Sequence, residues 1–367
     1  MERRTFLGTA LALAADPPSF AAPARGRWED AAEVLERATA AKQVDAAVLC
    51  VVQKGESFTR HFGKAASADA MFLLGSVSKP INVAAVMTLF DRGKFRLDDR
   101  VKKFLHAFTG GGRDGVTIRH LLTHTSGLPD QLPNNNQLRK QHAPLTEFAA
   151  QATRAPLAFA PGTRYRYSSM GILLAARIAE VVSGSDIRTL VERSVFRPLG
   201  MKHSAQGLGR FKLEEMVPCQ AEGAAPESGG GAPQARGWDW NSPYWRKLGA
   251  PWGGTHASAP DVATFLGEFM GARGKVVKPG TARLMTRNHN PEGLTPRGLG
   301  FDVGKGSGGR GCSERTFGHT GSTGTLCWAD PASETVCVVL TSLPRRAARR
   351  HPRELAAERV AAAAARR

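Results

Sequence analysis

The chain has 367 residues, 42% of them hydrophobic and 22% charged, enough for one large globular domain or two joined lobes. Beyond the N-terminus no apolar run approaches the roughly 18 residues that a bilayer span requires, which excludes a membrane-spanning helix in the body of the protein. The formal net charge of +18 is dispersed and lacks an aromatic-interleaved basic stripe, so a nucleic-acid partner is not expected.

In chain order, Arg3-Arg4-Thr5-Phe6-Leu7 and the mild apolar stretch Gly8 to Ala15 come first. They resemble a twin-arginine export signal over residues 1–24, with cleavage candidates near Ala14 or Ala22-Pro23-Ala24, although Glu2 and Gly8 depart from the usual flanks. The expected location is therefore periplasmic or extracellular. Trp28 to Ala41 carries apolar residues at helical spacing. Val44 to Val52 and Ser57 to Phe62 read as two strands joined by a turn at Lys54-Gly55-Glu56.

Ser76-Val77-Ser78-Lys79 follows, where a strand-like run gives way to the apolar helix Ile81 to Phe90. A serine and a lysine three apart lie one helical turn apart on one face, which sets an amine beside a hydroxyl. As a bare pattern this pair is expected about once by chance in such a chain, so its meaning depends on context. Pro80 falls in the first turn of that helix, where it is tolerated.

From there to about residue 295 the pattern is mainly helices and long loops. Leu97-Asp98-Asp99 reads as a helix start with acidic residues at its positive end, Ile118 to Leu122 as a short helix, and Gly171 to Val182 as an apolar one. Ala221 to Gly237 is rich in Gly, Pro and Ala and reads as an insertion or lid base. Trp238, Trp240, Tyr244, Trp245 and Trp252 follow it; a satellite core and the wall of a substrate cleft are both open readings.

Strand patterns return at Leu299 to Val303, Thr323 to Trp328 and Thr335 to Thr341, with Asp330-Pro331-Ala332-Ser333 as a turn. Pro344 to Arg367, with eight Arg against two Glu, reads as a final helix with a solvated basic face. Gly306 to Gly311 formally satisfies a phosphate-binding glycine pattern, but lies between strands and reads as a loop. Five cysteines leave at least one unpaired, and no cluster of His, Cys and carboxylates suggests a metal. No cofactor is expected. The fold class is α+β: an antiparallel sheet from both chain ends (about 25–75 and 295–367), covered by helices, with a mostly helical lobe (about 76–294) inserted.

Two of the three tyrosines lie in Tyr165-Arg166-Tyr167-Ser168-Ser169, just before an apolar helix. Near the C-terminus, Gly318-His319-Thr320-Gly321-Ser322 opens a strand. With Ser76 and Lys79 these stretches resemble the serine β-lactamase and penicillin-binding-protein superfamily, specifically its class C and esterase-like branch. That family carries Ser-x-x-Lys, Tyr-x-Asn and Lys-Thr-Gly or His-x-Gly in this order. Further family-like stretches are Gly93 to Asp99, Leu121 to Pro129, Pro198 to Met201 and Gly253 to Ser258.

The resemblance implies a β-lactamase-like domain over 25–367, with Ser76 as nucleophile and Lys79 with Tyr167 as general base. Unperturbed lysine and tyrosine titrate near 10, so neutral-pH action requires a shift of about three units. Burial disfavours the ammonium, positive charge favours the phenolate, and the pair is expected to titrate together. The oxyanion is expected on the backbone N–H groups of Ser76 and Ser322, and the substrate against Ser169, His319, Thr320 and Gly321. Ser169 stands where the family commonly has Asn, and His319, with at most partial charge at neutral pH, where penicillin-recognising members have Lys. His124 and His256 are read as fixing their loops by hydrogen bonds.

The expected activity is esterase-like hydrolysis of an ester or small amide through an acyl-enzyme. The alternatives are a β-lactamase or D-Ala-D-Ala or D-amino-acid peptidase, and a catalytically silent binder of peptidoglycan fragments. The partner is a small-molecule or cell-wall-derived substrate.

Overall fold

The computed structural model describes residues 26–309 and 311–365; the export signal expected over 1–24 lies outside the described residues. β1 (Ala46–Gln53) and β2 (Glu56–Gly63) form the N-terminal hairpin, closed by Lys54 and Gly55, both at positive φ as a two-residue hairpin turn requires. Three short strands, β3 (Phe72–Leu73), β4 (Ser204–Gln206) and β5 (Thr255–Ala257), lie in the central part of the chain. β6 (Asp302–Val303), β7 (Phe317–Thr320), β8 (Thr325–Asp330) and β9 (Thr335–Thr341) complete the C-terminal part.

The main sheet is six-stranded and antiparallel in the order β2-β1-β9-β8-β7-β6, so β1 from one chain end pairs with β9 from the other. Its inner strands are buried on both faces, which explains continuous apolar runs in place of alternation. Val48, Cys50, Val338 and Leu340 face a core shared with the Ala259–Gly271 helix. Leu49, Val51, Cys337 and Val339 face the opposite core, closed by the Glu29–Ala40 and Pro352–Ala365 helices.

Three expectations are corrected. No α-helix follows Leu97-Asp98-Asp99, which is followed only by a single 3₁₀ turn at Val101–Lys103. The carbonyls of Leu97 and Asp99 accept from Arg119 and Ile118, and the two carboxylates are drawn to Arg119 and Lys103, so long-range pairing displaces the helix. The strand expected over Leu299 to Val303 shrinks to β6 because Gly300 bends at φ +81° and packs where a Cβ would strike Val83. The basic face of the last helix is not fully solvated, since Arg353 is buried and donates to the carbonyls of Gly321 and Thr325.

A second sheet, β3-β5-β4, was not visible in the sequence pattern, because strands of two or three residues are too short to show a period. Beside it Asn82 donates to Ser78 O and Gln206 Oε1, while Thr255 N–H donates to Ser78 Oγ at 3.0 Å. This buried network holds the start of the Ser78–Asp91 helix in place.

The β7–β8 turn is pressed against the segment that follows β3. Thr323 Oγ1 donates to Leu73 O at 2.7 Å and Thr325 Oγ1 to Leu74 O at 2.6 Å. A Cβ at Gly321 would lie 2.2 Å from both Leu74 O and Thr325 Oγ1. Gly321→Ala is therefore expected to lower stability by about 3 kcal/mol, as overpacking of a site that cannot yield. Urea unfolding checks this, and an unchanged midpoint would contradict the close approach.

Candidate active site

The chain leaves β3 at Leu73, turns through Gly75 at φ +54°, and makes one 3₁₀ turn over Gly75–Val77 before the Ser78–Asp91 helix. This geometry carries Ser76 on the tight turn and Lys79 on the first helical turn. Lys79 Nζ lies 2.9 Å from Ser76 Oγ and 2.9 Å from the carbonyl oxygen of Trp252. The lysine is buried, and that burial brings its pKa down to about 7, with Arg297 pushing the same way and Asp130 and Glu227 opposing. A large share of the amine is thus neutral at physiological pH, with a lone pair free to take the serine proton.

Tyr167 reaches this pair from the loop before the Ser169–Ser183 helix. Lys79 Nζ lies 4.7 Å from its ring centroid, and Ser76 is close enough to its hydroxyl to favour ionisation. Burial nevertheless dominates and raises the phenol above its ordinary value, helped by Asp130 and Tyr165 and opposed by Arg297. The two groups shift in opposite senses, the amine toward its neutral form and the phenol toward its protonated one, although positive charge alone would favour the phenolate.

His124 fixes the tyrosine loop, as its sequence context suggests. Its Nδ1 accepts from Ser168 N–H at 3.2 Å, its carbonyl accepts from Arg166 N–H at 2.9 Å, and its ring lies 4.5 Å from that of Tyr167. Burial and the nearby cations keep it neutral. His256 is likewise buried and neutral, with Nδ1 2.8 Å from Gly207 O.

The third stretch closes the opposite wall. His319 on β7 places Nδ1 2.7 Å from Thr320 O, while Nε2 accepts from Arg297 Nη2 at 2.8 Å. That pattern is met by one neutral tautomer, in agreement with a pKa held well below the ordinary value by burial and Arg297. The cation of this wall is therefore Arg297, which pairs with Asp302. No sequence motif marked Arg297; its position follows from the antiparallel bridge between residues 297 and 302.

Thr320 is exposed, and Gly321 is confined by Leu74 and Thr325. A Cβ on Gly75 would come within 3.2 Å of Ser322 N, which sets that N–H beside the nucleophile's own turn. Neither Ser76 N–H nor Ser322 N–H donates to another group among the described residues. These are the two donors expected for an oxyanion.

Ser169 does not reach Lys79. Its Oγ donates to Asp130 Oδ1 at 2.6 Å and its N–H to the same oxygen at 2.9 Å. The carboxylate of Asp130, one residue beyond the family-like stretch ending at Pro129, is thus part of the site although no motif singled it out. Trp238, Trp240, Trp245 and Trp252 are buried, and Trp245 and Trp252 meet at 6.1 Å. Trp240, Trp245 and Trp252 belong to the main core, and the Trp252 carbonyl also gives Lys79 a partner. All five cysteines are free and buried, and no metal-binding group of His, Cys, Asp and Glu occurs among the described residues.

The Beta-lactamase family model matches residues 31–362. Esterase EstB of Burkholderia gladioli is 32% identical over 214 residues, covering 52% of this chain and 54% of that protein. An Escherichia coli protein named "Putative D-alanyl-D-alanine carboxypeptidase" is 27% identical over 289 residues, covering 71% of this chain and 66% of that protein. The chain thus spans about half the length of the first relative and about two thirds of the second. Among solved structures, EstCE1, a hydrolase with promiscuous acyltransferase activity, superimposes with a TM-score of 0.75 at 21% identity, covering 92% of this chain and 98% of that one. A penicillin-binding-protein homolog from Caulobacter crescentus gives 0.74 at 19% identity, covering 92% and 97%. Both establish the fold.

A lysine titrating near 7 that works as a base must lose its proton, so kcat/KM of an ester hydrolysed at this site should rise with pH with a midpoint at about 7. Removing the guanidinium in Arg297→Gln takes away a charge that lowers the lysine pKa, so the limb should move to higher pH. A pH–rate profile of both proteins checks the sign, and a shift to lower pH would contradict it.

Proposed function

We propose that this chain, which belongs to the Beta-lactamase family, is a serine hydrolase that cleaves an ester or small amide through an acyl-enzyme on Ser76. One observation carries the reading: Lys79 Nζ sits 2.9 Å from Ser76 Oγ in a site whose burial brings the lysine to about 7. The neutral amine removes the Ser76 proton as Oγ attacks the substrate carbonyl. Backbone N–H groups of Ser76 and Ser322 receive the oxyanion, and the proton passes by way of the Tyr167 hydroxyl to the leaving alcohol or amine. Water then attacks the acyl ester, with Lys79 again as base.

The substrate preference follows from the third wall. His319 is neutral, and Arg297 is committed to Asp302 and to the imidazole, so on this wall neither group, among the described residues, is left as a free cation for a substrate carboxylate. This favours esters and small amides over β-lactams and D-Ala-D-Ala peptides, and similarity to an esterase over 214 residues supports it. Peptidase activity is the second reading, favoured by the relatives named as carboxypeptidases.

The test uses a p-nitrophenyl ester, a chromogenic cephalosporin, a D-Ala-D-Ala peptide and a serine-reactive phosphonate on the protein and on Ser76→Ala. Ester turnover and a phosphonate adduct are expected for the wild type, with kcat reduced by about 10³-fold or more in the variant. Absence of both in the wild type would remove the hydrolase reading, and cephalosporin turnover equal to that of the ester would reverse the substrate order.

Arg3-Arg4 and the apolar stretch after them support export through a twin-arginine signal. Replacing both arginines by lysine should retain the protein in the cytoplasm, as fractionation would reveal. Unchanged secretion would refute the route.

A further inference from the structure

Asp130 is a carboxylate beside the reacting groups that the acyl-enzyme chemistry leaves unused. Its Oδ1 is fixed by Ser169, which donates from both N–H and Oγ. Its Oδ2 has no hydrogen-bond or ion-pair partner among the described residues, and the side chain is partly exposed.

The surrounding charges leave that carboxylate unbalanced. Of the anions acting on Lys79, Asp130 acts most strongly, ahead of Glu227, and it also acts on the Tyr167 phenol. Glu227 faces Arg139, whose guanidinium stacks 3.7 Å from the Trp245 ring. Arg297 is held by Asp302 and His319. His124 and His319 are neutral. When Lys79 is neutral, the partly exposed Asp130 carboxylate has no ion-pair partner among the described residues.

We infer that Asp130 is a specificity-determining residue that recognises a protonated amine on the substrate, with Oδ2 as its acceptor. The substrates are then esters or amides carrying an ammonium group near the scissile bond, on the acyl or on the leaving side. The inference rests on the serine-hydrolase reading given above. A purely structural role for Asp130, as the anion at the start of the Ser169–Ser183 helix, would leave substrate charge without effect.

The test compares isosteric pairs near neutral pH. On the acyl side the pair is p-nitrophenyl 3-aminopropanoate and p-nitrophenyl butanoate; on the leaving side it is 2-(dimethylamino)ethyl thioacetate, protonated near neutral pH, and 3-methylbutyl thioacetate. Both members of a pair use the same base, so any change in Lys79 cancels in the ratio of their kcat/KM values. In at least one pair the wild type is expected to prefer the cation on the order of tenfold or more, as hydrogen bonds to charged groups allow. Asp130→Asn should bring that ratio down to about one, and Asp130→Glu should retain part of it. Ratios near one in both pairs for the wild type, or a preference that survives in Asp130→Asn, would overturn the inference while the hydrolase reading stands. If no substrate is turned over and the phosphonate leaves Ser76 unlabelled, both fall together.

Discussion

The burial of one ammonium group governs this site. A lysine in water would be almost fully charged at neutral pH and useless as a base, and a shift from 10.5 to about 7 corresponds to roughly 5 kcal/mol of differential stabilisation between its two protonation states. Desolvation supplies most of that shift, and the other neighbours adjust it. Asp130 and Glu227 draw the value back up and Arg297 draws it down, so the working pH reflects a balance of one buried cavity wall against three nearby charges. The same burial acts on Tyr167 in the opposite chemical sense, because there the charged form is the deprotonated one. One low-dielectric environment therefore favours the neutral form of both groups, the free amine of Lys79 and the protonated phenol of Tyr167.

Keeping Lys79 dry requires that the two chain ends meet. The helix that bears it starts from the small β3-β5-β4 sheet, whereas the wall that faces it is β7, next to the edge strand of the large one. The join is made by main-chain carbonyls of Leu73 and Leu74 accepting from Thr323 and Thr325, and by Arg353 from the last helix holding the carbonyls of Gly321 and Thr325. Gly75 and Gly321 occur where the backbones approach too closely for a side chain. These same contacts set Ser322 N–H beside the turn of Ser76, so the proposed oxyanion donors are brought together by the packing that closes the domain.

Much of this was legible in the sequence because it depends on local order. The N-terminal hairpin, the apolar helix after Ser76 and the β9 run carry their own periodicity, and the three ordered motifs place Ser76, Lys79 and Tyr167. What escaped depends on partners distant in sequence. Leu97 to Asp99 has a good helix-start composition, yet its carbonyls are taken by residues 118 and 119. The sign of the Tyr167 shift needs the amount of burial, which no motif encodes. Arg297 and Asp130 lie outside the motifs and act through contacts to residues 22 and 39 positions away.

The two departures from the family pattern are best understood as replacements made by pairs. An asparagine at 169 would offer both a donor and an acceptor to whatever lies beside it, whereas Ser169 spends its donors on Asp130 and presents an anion instead. A lysine at 319 would offer a mobile positive charge, whereas His319 accepts from Arg297 and the charge is tied down by Asp302. One side of the site thus presents the Asp130 carboxylate and the other a cation tied to Asp302. Both features disfavour an anionic group beside Ser76. On the proposed reading chemistry and selectivity are separable: Ser76, Lys79 and Tyr167 would carry the acyl transfer, and Asp130 with the committed Arg297 would set which charge is accepted beside it.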